Sequence, residues 1–151
     1  MDRSTLVNLF DQIIEGWDIP TPSALVKVKA EDAEVKLPGL PYSMLTNLAH
    51  IVTWQRIWLK KLSGLDKASR MEDWKQDWRV PKAKEWDPLR KEFLAGLLEA
   101  RRIAVSEPMD HKLKSDEEAS KVLTALAIHA AYHMGQLNVL KRGLRARKSK
   151  A

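Results

Sequence analysis

Cysteine is absent from the 151 residues, which excludes disulfides, thiolate metal ligands and a cysteine nucleophile. Any metal site must therefore be built from imidazole or oxygen. No run of about 18 apolar residues occurs, so no segment is expected to span a membrane. The opening MDRSTLVNLFDQII carries acids, and no small-residue cleavage site follows it, unlike a secretory leader. A cytoplasmic location is the expectation. Glycine (6) and proline (7) are sparse, while 44% of residues are hydrophobic and 30% charged. That composition belongs to one globular domain with a real core, not to a disordered chain. Apolar–polar alternation is also missing, so no sheet is expected.

Charge imbalance is missing too, outside one segment. The formal charge of +6 resides in the last eleven residues, KRGLRARKSKA, with Lys141, Arg142, Arg145, Arg147, Lys148 and Lys150 and no acid. The other 140 residues carry 20 basic and 20 acidic side chains. Residues 1–142 thus read as the domain and 143–151 as a solvated basic tail. Deleting residues 144–151 should then barely change stability. Nucleic-acid binding is not expected beyond what that tail could offer.

What remains is helical periodicity. Leu6, Leu9, Phe10, Ile13, Ile14 and Trp17 predict a first helix near 4–17, capped by Ser4 and ended by Pro20 and Pro22. A short connecting helix fits residues 22–36, and Pro38, Gly39 and Pro41 break the chain again. The second helix, Ser43 to Leu62, is apolar nearly all round, as a helix buried on several sides would be. Residues 63–86 read as a long polar connection dotted with Trp74, Trp78 and Trp86. Asp87–Pro88 opens a third helix ending near Ser106. Ser115 to Glu118 forms a capping-box pattern for a fourth, running to about Arg142 ahead of Gly143. The fold class is all-α: a four-helix bundle whose long connection allows up-down-down-up order.

His129 and His133 lie one turn apart on the fourth helix, with Cβ atoms about 5–6 Å from each other. Val122, Leu126, Leu137 and Leu140 continue their stripe and turn it inward. His50 sits in the apolar second helix. Each histidine could simply hydrogen-bond a buried carbonyl or a water. Three of four histidines on buried faces instead suggest a shared divalent ion, which would satisfy all three. At 1.5 Å per residue the three rings reach similar heights only if the second and fourth helices are antiparallel. His111, in a charged loop, reads as a solvated residue and not a ligand. Gly135 reads as a point of close helix approach. Gln136 either bonds near the site or faces a neighbouring helix, and Trp54 and Trp58 are pocket walls or core.

LTNLAHIVTWQRIWL (45–59) and AIHAAYHMGQLNVLKR (127–142) resemble the two signatures of the DinB family of metalloenzymes, over about residues 4–142. The resemblance implies a nickel, zinc or similar ion on His50, His129 and His133, and a homodimer. Relatives in that family include mycothiol- and bacillithiol-dependent transferases and isomerases. It therefore implies an enzyme acting on a small-molecule substrate, with a low-molecular-weight thiol as cosubstrate. Independently of the family, three neutral imidazoles leave the ion's charge uncompensated and a coordination position open, a Lewis-acid arrangement. Ala130 stands where a zincin protease carries its glutamate base, which argues against peptide hydrolysis. Hydrolysis of another small substrate, and a non-catalytic metal-stabilised bundle, remain as alternatives.

Overall fold

A computed structural model describes residues 2–150, and its chain breaks fall largely where proline and glycine put them. Helix α1 (Arg3–Glu15) starts after Asp2 and stops at Gly16, whose φ of 68° is left-handed. A Cβ at Gly16 would stand 2.7 Å from the Ile19 carbonyl oxygen, so only glycine turns the chain this tightly. The expected connecting helix is two separate turns, α2 (Pro22–Leu25) and α3 (Ala30–Ala33). Thr21 caps α2 by accepting from the Ala24 amide, with Pro22 at the first helical position.

Ser43 accepts from the Thr46 amide to open α4 (Met44–Leu62), where Met44 through Thr53 are buried without interruption. The long connection is partly ordered as α5 (Lys67–Trp74), capped by Asp66. A single 3-10 turn, Ala83–Glu85, leads directly into α6 (Trp86–Val105). That helix begins before the expected Asp87–Pro88 because Trp86 is itself an anchor. Its ring is 1% exposed, and its indole N–H donates to the Val28 carbonyl at 2.8 Å.

Ser115 caps α7 as expected, but α7 (Asp116–Ser149) does not end at Arg142. Gly143 acts as a site of close approach instead of a stop, since a Cβ there would meet Leu37 Cδ1 at 2.5 Å. Beyond it Leu144 is buried and Lys148 pairs with Asp32 at 2.6 Å. These contacts hold the last two turns to the body.

The bundle consists of α1, α4, α6 and α7 around a single apolar core that includes Phe10, Leu48, Phe93, Leu97 and Leu123. Contacts fix the directions. Asn47 reaches Gln136 at one level and Trp58 reaches His129 at another, so α4 and α7 are antiparallel. Arg3 bonds the Ala104 carbonyl while Asp11 pairs with Arg101, so α1 and α6 are antiparallel. The loop from α6 to α7 passes the end of α4, where the Lys112 amide donates to the Leu62 carbonyl at 2.7 Å. Helices α4 and α6 therefore run the same way. The order is up-down-down-up, and residues 63–85 form the crossover along α4.

Candidate metal centre

The antiparallel pairing of α4 and α7 delivers the three histidines to one place. One ring nitrogen from each of His50, His129 and His133 lies within 4.8 Å of the others. His50 Nε2 is 3.1 Å from His133 Nε2 and 3.1 Å from His129 Nε2. His50 and His133 are buried, whereas His129 is half-buried.

The other ring nitrogens determine which atoms face inward. His50 Nδ1 lies 2.5 Å from Asp77 Oδ1, and a carboxylate can only accept, so Nδ1 carries the proton. His133 Nδ1 lies 2.6 Å from Gln136 Oε1. That oxygen also accepts from Asn47 Nδ2 at 2.9 Å and from the Tyr42 hydroxyl at 3.1 Å, which makes it the carbonyl end of the amide. His133 Nδ1 therefore donates as well. Both rings then aim Nε2 lone pairs at each other across 3.1 Å, a repulsive contact that a cation between them would relieve. Nitrogens about 2.0–2.1 Å from one ion are about 2.9 Å apart at a right angle and about 3.4 Å apart at the tetrahedral angle. The 3.1 Å spacings from His50 to His129 and to His133 fall between these, and the three nitrogens together form a group that could hold a divalent ion.

Electrostatics favour the neutral form of His129 and His133. Burial first, then the charges that His133 and His50 would carry, lower the His129 pKa to about 3. Burial also lowers His133, partly offset by its bond to Gln136. Neutral imidazole is the ligating form.

Two residues at this centre come from the crossover, which the sequence marked only as a connection. Asp77 binds His50 through Oδ1 and accepts from the Trp54 indole through Oδ2 at 3.0 Å. Trp78 stacks on His50, with ring centroids 3.8 Å apart at 13°, and also packs against the Tyr42 ring at 4.7 Å. Its φ of 55° puts a bulky residue in left-handed backbone, which costs about 1–2 kcal/mol. The Trp78 amide donates to Asp77 Oδ1, tying the strained residue to the carboxylate.

The remaining expectations divide. Trp54 and Trp58 are walls, with Trp58 set edge-on to His129 at 5.1 Å. Gln136 belongs to the site. Gly135 does not mediate close helix approach, because a Cβ there would meet nothing within 4 Å. His111 is outside the cluster, near the Leu62 end of α4, and is not solvated. Its side chain is 6% exposed, bonds Asp116 at 2.8 Å and accepts from the Leu113 amide, so it pins the loop before α7.

The fold and its cluster define an all-helical protein with a histidine centre able to take a metal ion. The chain belongs to the DinB superfamily, whose family model matches residues 20–137. No curated protein and no solved structure shows a significant match to the chain.

Proposed function

We propose that the protein binds one divalent ion, zinc or nickel, through Nε2 of His50, His129 and His133, and uses it in thiol-dependent transfer or isomerisation of a small electrophile. The observation that carries the metal reading is the opposition of Nε2 lone pairs enforced by Asp77 and Gln136. A bound ion would supply Lewis acidity, lowering the pKa of a thiol that occupies its open position. Asp77 and Gln136 orient the two buried rings, and Trp54, Trp58 and Trp78 restrict water around them. Asp77 is a poor candidate for a general base, because both of its oxygens are already engaged. Deprotonation then falls to the ion in either reading, and a thiol, with its lower intrinsic pKa, needs less help than water.

Elemental analysis of untagged protein should give about one ion per chain, and His129→Ala should abolish it. Full occupancy in that variant would end the assignment. Cobalt-loaded protein should develop an intense sulfur charge-transfer band with one of a panel of physiological thiols. Metal-dependent hydrolysis without any thiol requirement would instead favour the hydrolase, and no response in either assay would favour the non-catalytic bundle.

The proposed assembly is a cytoplasmic homodimer through the outer face of α7. Ile128, Tyr132 and Val139 are each more than 60% exposed there, with Gly135 open between them. A two-fold axis near Gly135 would let two copies of this stripe pack closely. Light scattering should show a dimer that Val139→Glu dissociates; a wild-type monomer at high concentration would remove the proposal.

A further inference from the structure

Five cations surround a cleft at the far end of the bundle. Lys141, Arg145 and Lys148 recur at i, i+4 and i+7, so they form one stripe on α7. Lys27 and Lys29, between α2 and α3, face that stripe across about 240 Å³. Val28 and Leu144 line the cleft between the charges, and Asp32 is the sole carboxylate in the lining. Asp32 is already committed to Lys148 at 2.6 Å. The same Lys27–Lys29 ridge borders a second cleft, where Arg90 is neutralised by Asp87 at 2.9 Å. Charge is therefore uncompensated on the α7 side in particular. Lys141 reflects this: burial, followed by the charges of Arg145 and Lys27, lowers its hold on its proton.

We infer that this cleft is a binding site for a soluble oligophosphate anion, separate from the histidine centre. Several like charges held around one concavity repel each other until an anion sits among them. Tetrahedral phosphate oxygens suit lysine's rotatable ammonium donors, and Arg145 adds a planar fork. Two linked phosphates match the excess of cations better than one. The lining has no aromatic side chain on which a base could stack, unlike a nucleic-acid track. Lys141 lies eight residues beyond His133 on α7, about 12 Å along the axis. The cleft and the centre thus share a helix but no ligand atoms.

The test is titration calorimetry of the metal-loaded protein with pyrophosphate, with inorganic phosphate and a single-stranded oligonucleotide as parallel arms. One pyrophosphate should bind per chain, at least tenfold more tightly than phosphate. The double variant Lys27→Ala/Arg145→Ala should weaken it at least tenfold with unchanged melting temperature. Arg142→Ala/Arg147→Ala removes the same charge from exposed positions outside the lining and should weaken it less than threefold. Equal losses in the two double variants would reduce the site to unspecific basicity. Binding that survives both would place pyrophosphate on the metal, and tighter binding of the oligonucleotide would make this a nucleic-acid surface. Each of these results overturns the inference.

Discussion

Asp77 reaches from the crossover to two side chains one turn apart on α4, accepting from His50 Nδ1 with one oxygen and from the Trp54 indole with the other. Replacing it with asparagine keeps the shape but removes the charge that makes His50 a stronger donor to an ion. Asp77→Asn should lower metal affinity by about 10–100-fold, read by competition with a chromogenic chelator; unchanged affinity would show that the contact is incidental. A second consequence concerns His129. In the unfolded chain it takes a proton near 6.5, and in the metal-free fold only near 3. The unfolded state therefore binds more protons between those values, and stability falls as pH drops from about 6.5 toward 3. Metal-free protein should lose stability across that window in denaturant titrations, and His129→Gln should lose less; parallel curves would contradict the cause. The three histidines were legible because helical spacing and apolar flanks both pointed them inward. Asp77 and Trp78 were not, since a polar crossover has no periodicity and only its path along α4 brings them to His50.

Between α4 and α6 a single glycine sets the fit. A Cβ on Gly96 would stand 1.7 Å from Gln55 Nε2, which donates to the Glu92 carbonyl. Gly96→Ala should destabilise the fold by about 1–3 kcal/mol through overpacking, despite alanine's better helix propensity. Adding Gln55→Ala should recover most of that in urea melts; no recovery would mean the clash lies elsewhere. The four bundle helices and their order were readable from caps and periodicity, as Ser43 and Ser115 show, whereas α5 was not. Helix ends were less so. Gly143 carries the local signature of a stop, and only the approach of Leu37 from a distant loop explains why α7 runs through it.

At the scale of the whole molecule, the continuation of α7 changes what the basic end does. Leu144 is 6% exposed and Lys148 reaches Asp32, so residues 144–148 are not a free tail. Deleting residues 144–151 should cost about 2–3 kcal/mol, close to the burial of one leucine, by denaturant unfolding. Removing only 149–151 should leave the midpoint unchanged, and equal stability of both truncations would return the segment to solvent. The up-down-down-up order has a further effect, on the unfolded chain. His50 and His129 are 79 residues apart in sequence and 3.1 Å apart in space. An ion joining them would act as a cross-link, closing a loop whose entropy in a disulfide-bonded chain is worth about 4 kcal/mol. It needs α4 and α7 side by side, so the metal would lock a long-range contact between the two helices. A chain without a single cysteine would thereby obtain from imidazole the covalent-like closure that other small domains obtain from sulfur.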